Sequence, residues 1–297
     1  MTKSPLAPIV LGHNAFFGVD HLSAARGAER AAFFADPQNI LDMIHTAYDH
    51  GVRGMMMSTH DRAGPVAELI RNDPKLSQDM AIYPLLPYAQ KYITKANEMG
   101  LINVVIDALS GSGLKSKVSF LWQGGKGVLT KDVTGMFSAL IRLDLNIFRG
   151  LNMPAVFLND ALTDLALGLE LKDIFSFFIE ELDKNHNSQG SFATKNLPLL
   201  QQRFKEWGLP TPTVLTHANK IGFHMNPSLP ACEDALNEGV SNVMAMGTLA
   251  SGYLSPDEAY SYLGQFPTIK SVVVGVSSSK HADETFAAIK TNGWDNT

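Results

Sequence analysis

Short apolar runs alternate with amphipathic helical segments along the whole chain, and this alternation restricts the fold more than any other feature. Strands that alternate with helices pack as parallel βαβ units, in which each helix covers the sheet. Eight such units in 297 residues favour a closed (β/α)8 TIM-type barrel. The predicted strands are Ile9–Gly12, Arg53–Ser58, Met80–Leu86, Ile102–Ile106, Ala155–Leu158, Thr213–Leu215, Asn242–Met246 and Ser271–Val274.

The length and the apolar content fit one barrel, so we expect a single domain over residues 1–297. An open doubly wound sheet is the rival fold, but it would carry a Gly-rich turn after its first strand, which Gly12-His13-Asn14 is not. The rhythm breaks at about 110–128, where five glycines predict a long βα loop or an insertion over the site. The polar stretch Asn185–Ser191 predicts a connection between two helices.

Composition excludes several classes of function. The net charge of −5 and the scattered aromatic residues do not indicate a nucleic-acid partner. Cys232 is the only cysteine, so the fold does not depend on an internal disulfide. We find no membrane-spanning run and no signal peptide, and we expect a cytoplasmic protein whose partner is a small-molecule substrate. The sequence does not indicate an oligomeric state.

Polar residues follow five of the predicted strands, at the edge where a barrel carries its active site. His60 with Asp61 is the first candidate, because a histidine beside a carboxylate can act as a general acid or base. The expected catalytic set adds Asp107 and His217 to this pair. His13, Asn14, Asn159 and Asp160 are the expected substrate-binding residues. Each of these residues could instead serve a turn or cap a helix.

A divalent metal is a second interpretation of the same residues. His13, His60, His217, Asp107 and Asp160 could supply ligands from different strands. The chain has neither H-x-H nor H-E-x-x-H spacing, so the identity of a metal and its ligands stays open.

The segment after the last strand suggests a phosphate site. Gly275 ends the strand, Ser277, Ser278 and Ser279 follow, and a helix is predicted to open at about Lys280. Backbone N–H groups at a helix N-terminus bind phosphate, and barrels often use this region for it. The alternative is that a serine caps the helix without any ligand.

Three stretches of the chain resemble the aldo-keto reductases: Ala47–Arg53 before the second strand, Ala245–Leu254 after the seventh, and Val272–Ile289, which is similar to the family's cofactor phosphate segment. The resemblance implies a (β/α)8 barrel, NADP binding through Gly275 and Ser277–Lys280, and carbonyl reduction. The family's catalytic Asp, Tyr, Lys and His are not matched. Their positions fall near Met56, near His60 or Asp61, among Leu85, Leu86 and Pro87, and near Asp107 or Ala108.

Three functions follow from these observations. The first is an NADP-dependent oxidoreductase of the aldo-keto reductase type, acting on a small carbonyl or sugar-like molecule with His60 as acid or base. The second is an isomerase, lyase or hydrolase without redox chemistry, with or without a metal, acting on a phosphorylated or sugar-like substrate. The third is a small-molecule binder without catalysis.

Overall fold

A computed structural model describes residues 6–18, 23–87, 131–239 and 241–294. Eight parallel strands form a closed barrel in chain order. The strands are β1 (Ile9–Gly12), β2 (Gly54–Ser58), β3 (Ala81–Leu86), β4 (Ala155–Leu158), β5 (Gln189–Thr194), β6 (Thr213–His217), β7 (Asn242–Met246) and β8 (Ile269–Val274). The predicted fold class is therefore confirmed.

Eleven helices are described around this barrel. They are α1 (Ala24–Phe33), α2 (Pro37–Asp49), α3 (Ala63–Asn72), α4 (Pro74–Asp79), α5 (Lys131–Leu145), α6 (Asp160–Gly168), α7 (Lys172–His186), α8 (Leu197–Trp207), α9 (Leu229–Glu238), α10 (Pro256–Leu263) and α11 (Ser279–Thr291). No described helix is long and apolar enough to cross a bilayer.

Side chains of the strands divide between two apolar clusters, as alternation along a strand requires. The inward cluster fills the barrel with Val10, Met56, Tyr83, Phe157, Ala193, Leu215 and Met244, among others. The outward side chains, such as Leu11, Met55 and Phe192, join the larger cluster beneath the helices. Leu6 and Ala7, before β1, pack against the inward cluster, and the Ala7 N–H donates to the Tyr83 hydroxyl at 2.7 Å.

The structure corrects the identity of the fourth and fifth strands. Leu85 and Leu86 of β3 pair directly with Phe157 and Leu158, so Ala155–Leu158 is the fourth strand and not the fifth. The predicted strand Ile102–Ile106 lies outside the described residues. The fifth strand is Gln189–Thr194, where the sequence analysis expected a polar connection.

Close packing against α7 explains why β5 does not look like a barrel strand. A Cβ atom at Gly190 would lie 2.8 Å from the Cα atom of Ile179 in α7. The helix therefore approaches the strand backbone where only glycine fits, and Ser191 beside it is fully buried. A strand that begins Gln-Gly-Ser lacks the β-branched run that usually identifies a buried parallel strand.

Two helical features add to the covering of the barrel. Residues 24–33 form α1, which begins after the N-cap Ser23. Three residues separate α6 from α7, and Glu170 among them has a φ of 56°. The Gly-rich segment at 110–128 lies outside the described residues.

Substitution of Gly190 by Ala should lower the free energy of unfolding by about 1–3 kcal/mol, because the strand or α7 must shift to admit the methyl group. Gly168, the last residue of α6, is a matched control, since a Cβ there meets nothing within 4 Å. Gly168→Ala should leave the protein unchanged or stabilise it by roughly 0.5 kcal/mol. Urea unfolding of both variants measures this difference, and equal stabilities would contradict the packing argument.

Candidate active site at the strand ends

The carboxyl ends of the eight parallel strands meet at one edge of the barrel, called the mouth below. Alternation decides which residues face its interior. Because Met56 and Leu215 point into the barrel, Ser58 and His217, two residues further along the same strands, fall on the same side. Lys195 directly follows the last residue of β5. The mouth therefore has polar residues at the ends of β2 and β6 and one directly after β5.

His13 and Ser58 form a buried pair at the ends of β1 and β2. The Nδ1 atom of His13 lies 3.0 Å from the Met56 carbonyl oxygen, which can only accept, so Nδ1 carries the proton. Burial lowers the pKa of His13 from 6.5 to about 4, and the ring is neutral at pH 7. Its Nε2 then accepts from the Ser58 hydroxyl at 3.1 Å. Such a histidine is a weak base for activating Ser58.

Phe17 connects this pair to His60. Its ring lies 4.9 Å from the His13 ring and stacks on His60 at 4.7 Å between ring centroids. The Arg62 backbone N–H donates to His60 Nδ1 at 3.1 Å, so neutral His60 carries its proton on Nε2. Burial lowers the pKa of His60, and the charges of Asp61, which raises it, and Arg62, which lowers it, have smaller effects. Asp61 itself is exposed.

Arg62 holds the loop that carries Phe17 in place. Its guanidinium donates to the carbonyl oxygens of Phe16 at 3.1 Å and Ala31 at 3.2 Å. By binding these backbone carbonyls, the Arg62 guanidinium fixes the loop that stacks Phe17 on His60. Asn14, on the same loop, is exposed.

Asn159 joins the ends of β3 and β4 to α6. Its Nδ2 donates to the Pro87 carbonyl oxygen at 2.9 Å, and its Oδ1 accepts from the Leu162 N–H at 3.0 Å as the N-cap of the helix. Both ends of the amide therefore hold backbone, and the residue is only 4% exposed. The observed contacts of Asn159, a predicted substrate-binding residue, are those of a helix cap, which was the alternative role.

Asp160 lies beside a lysine that the sequence analysis missed. The Nζ atom of Lys195, directly after β5, is 3.0 Å from Asp160 Oδ2. One turn along α6, Asp164 accepts from the Thr194 hydroxyl and, at 3.1 Å, from the Lys195 N–H. Burial raises the pKa of Asp164. Lys195 was missed because β5 was missed; once β5 is known, its position after a strand end identifies it.

His217 is the last residue of β6 and is half-buried. The His224 ring meets it edge-on with 5.0 Å between ring centroids. Gly247, with a φ of 62°, covers it from the β7 loop, and a Cβ there would lie 3.4 Å from the imidazole. Asn219, fully buried, ties these two loops together by donating to the carbonyl oxygens of Phe223 and Gly247.

The segment after β8 has the expected form. α11 begins at Ser279, and the Ser278 side chain caps it by accepting from the His281 N–H at 3.3 Å. The first turn contains no acidic residue, and Gly275 has open space where a Cβ would lie. Lys280 is exposed, with Glu284 at 3.9 Å as its nearest carboxylate partner.

The described residues do not assemble a metal site. Among them, no group of three or more His, Cys, Asp or Glu side chains is placed to hold an ion. Asp107, one of the proposed ligands and catalytic residues, lies outside the described residues, and the residue that follows the fourth strand is Asn159. A groove of about 1040 Å³ between α3 and residues 146–150 lies on the outer surface, away from the mouth.

Two of the four positions that correspond to the reductase catalytic residues are apolar in the structure. Met56 is buried in the barrel interior, and Leu85 packs against the same cluster. The structure moves the counterpart of the fourth strand end from Asp107 to Leu158 and Asn159, which again supplies no histidine. Polar chemistry at this mouth therefore comes from other strand ends.

His13 should make the stability of the protein depend on pH. Its pKa is about 4 in the folded protein against 6.5 ordinarily, so the unfolded state binds more protons between these values. Stability should fall as pH decreases from 6.5 to 4, by about 3 kcal/mol in total. His13→Asn should remove most of this slope in urea unfolding at a series of pH values, whereas exposed His281→Asn should keep it. An unchanged slope in His13→Asn would disprove the assignment.

Solved aldo-keto reductase structures share this architecture. A Pseudomonas aeruginosa protein assigned provisionally to that family is 13% identical, with a TM-score of 0.61 over 96% of this chain and 90% of that one. An aldo-keto reductase from Bacillus halodurans, in its holo form, is 9% identical, with a TM-score of 0.54 over 95% and 86%. An aldo-keto reductase from a Medee basin deep-sea metagenome library is 8% identical, with a TM-score of 0.51 over 100% and 94%.

Sequence comparison adds no closer relative, since no protein family profile and no curated protein matches the chain. At these identities the structural likeness concerns the fold, which extends over nearly the whole of both chains. The chain has the barrel fold of the aldo-keto reductases.

Proposed function

We propose that this protein is an NADP-dependent oxidoreductase that reduces a small carbonyl or sugar-like molecule at the mouth of the barrel. The observation that carries the proposal is the junction of β8 and α11, combined with the fold shared with aldo-keto reductases. A cytoplasmic location and a small-molecule substrate are parts of the same proposal.

The β8–α11 junction fits a cofactor phosphate. Among the described residues, none accepts a hydrogen bond from the backbone N–H of Ser279 or Lys280, and the positive end of the helix dipole is not neutralised by a first-turn carboxylate. Ser277 and Ser278 add hydroxyl groups, and Gly275 leaves room for close approach. When bound, the reduced nicotinamide would supply the hydride.

His60 is suited to polarise the carbonyl oxygen. Because its Nδ1 accepts from Arg62, the neutral ring donates through Nε2, and its lowered pKa keeps it neutral at pH 7. A neutral imidazole that donates to a carbonyl oxygen stabilises the negative charge that develops there during reduction. Stacking on Phe17 fixes the plane of the ring, so the donor does not need to be ordered during the reaction. Solvent water then supplies the proton that completes the alcohol, so the role of His60 is narrower than that of a general acid or base.

Charge reversal at Lys280 tests the cofactor site. Lys280→Glu should raise the Kd for NADPH about tenfold, because it places a negative charge where the phosphate meets the helix. Lys290→Glu, at the other end of α11, is the matched control and should not change the Kd. Fluorescence titration measures both. If the wild-type protein shows no NADPH binding at millimolar concentrations, the proposed function is wrong.

Removal of the His60 donor tests the site of reaction. In an NADPH-consumption assay with a panel of small aldehydes and ketones, His60→Phe should lower kcat about 10²-fold or more, since one preorganised donor is lost. The phenyl ring keeps the stacking on Phe17, and His60→Gln restores a donor and should recover part of the rate. Full activity in His60→Phe would exclude this role.

A further inference from the structure

Lys195 and Asp160 form a partly exposed ion pair beyond the carboxyl ends of β5 and β4. Their charged atoms are 3.0 Å apart, and the side chains are 37% and 28% exposed. The ammonium has two further donor positions, and no described residue donates to the second oxygen of Asp160. The pair therefore presents both donors and an acceptor while its net charge is zero.

The backbone on both sides of this pair is fixed. Asp164 accepts from the Lys195 N–H at 3.1 Å, and the Lys195 carbonyl accepts from the Asn226 N–H of the β6 loop at 2.8 Å. Asp160 is the first residue of α6, directly after the N-cap Asn159. The two charged groups are thus carried on positions that hydrogen bonds hold in place, which lowers the entropy cost of binding between them.

His217 extends the polar surface formed by this pair. Thr194 pairs in register with Thr216, so Lys195 and His217 are the next residues on two neighbouring strands. His217, two residues after the inward-facing Leu215 in β6, lies on the inner side of the mouth, and Lys195 directly follows the last residue of β5. The imidazole and the ion pair therefore follow neighbouring strands at the same edge of the barrel.

We propose that Lys195 and Asp160 bind two neighbouring hydroxyl groups of a polyhydroxylated substrate. Oxygen atoms on adjacent carbons lie about 3 Å apart in the gauche form, close to the separation of the two charged atoms here. One hydroxyl accepts from the ammonium while the other donates to the carboxylate, and both are charge-assisted hydrogen bonds. The inference rests on the proposed function and names its substrate class as a polyol carrying a carbonyl group.

The alternatives fit the same atoms less well. Asp160 would repel a carboxylate or phosphate brought to Lys195, and Lys195 occupies the place of a cation beside Asp160. Because a partly exposed ion pair contributes little to folding stability, hydrogen bonds from hydroxyl groups to its two charges cost the protein little free energy of folding. A vicinal diol makes a favourable hydrogen bond to each of the two charges, whereas an anion would be repelled by Asp160 and a metal ion by Lys195.

Binding of erythritol to the cofactor-free protein tests the site. Calorimetry should show saturable binding of erythritol but not of 1,4-butanediol, which has the same chain without neighbouring hydroxyls. Lys195→Met and Asp160→Asn should each weaken erythritol binding at least tenfold, as expected for the loss of one charge-assisted hydrogen bond. Lys184→Met removes an equivalent pair with Glu180, 2.7 Å long on the outer surface, and should not change binding.

Three results would overturn the diol site: no saturable erythritol binding by the wild-type protein, equal binding of butanediol, or unchanged binding in a folded Lys195→Met. If the methionine variant does not fold by circular dichroism, Asp160→Asn decides the question, and unchanged binding in that folded variant overturns the diol site. NADPH titration of the same samples separates the two proposals. NADPH binding without erythritol binding removes only the diol site, and erythritol binding without NADPH binding removes only the oxidoreductase function.

Discussion

A closed ring of parallel strands brings eight chain segments to one edge and lets only alternate residues face its interior. Each strand therefore contributes its polar side chain to the mouth only if that residue is in step with the inward ones below it. Ser58 and His217 satisfy this condition above Met56 and Leu215. A shift of one residue in any strand would turn its polar group towards the helices, so the arrangement of the mouth depends on the packing of the whole barrel.

The sequence was sufficient for the fold because most strands are plain apolar runs followed by polar residues. It failed at β5, where contact with α7 replaces the usual apolar pattern with Gly190 and Ser191. That failure hid Lys195, and with it the partner of Asp160. The spacing of Asp160 and Asp164 gives one further indication. The two residues are four apart and share a face of α6, and this face lies against the end of β5.

The sequence alone does not show whether a polar residue binds a ligand or stabilises the local backbone. Asn159 and Ser278 both follow strands and both cap helices. His13, expected among substrate-binding groups, is buried and hydrogen-bonded within the wall. Only three-dimensional contacts separate these cases, because a cap and a binding group use the same residue types at the same strand end.

Apolar residues at the positions of Met56 and Leu85 leave the centre of the mouth without the charged groups that the reductase family places there. The charged and imidazole groups follow other strand ends instead, on the loops after β1 and β2 and at the ends of β4, β5 and β6. In the proposed reaction, these groups would contact the substrate above the apolar side chains of the barrel interior.

The hydrogen bond from Ser58 to His13 has a direction, because the Met56 carbonyl fixes the proton of the ring on Nδ1. The serine hydrogen is committed to the imidazole, and the oxygen is left with lone pairs alone. This part of the wall thus has a polarity of its own. The Ser58 oxygen can therefore accept a hydrogen bond from an N–H or O–H group but cannot donate one to a carbonyl oxygen, so the wall has a direction of hydrogen bonding without carrying any charge.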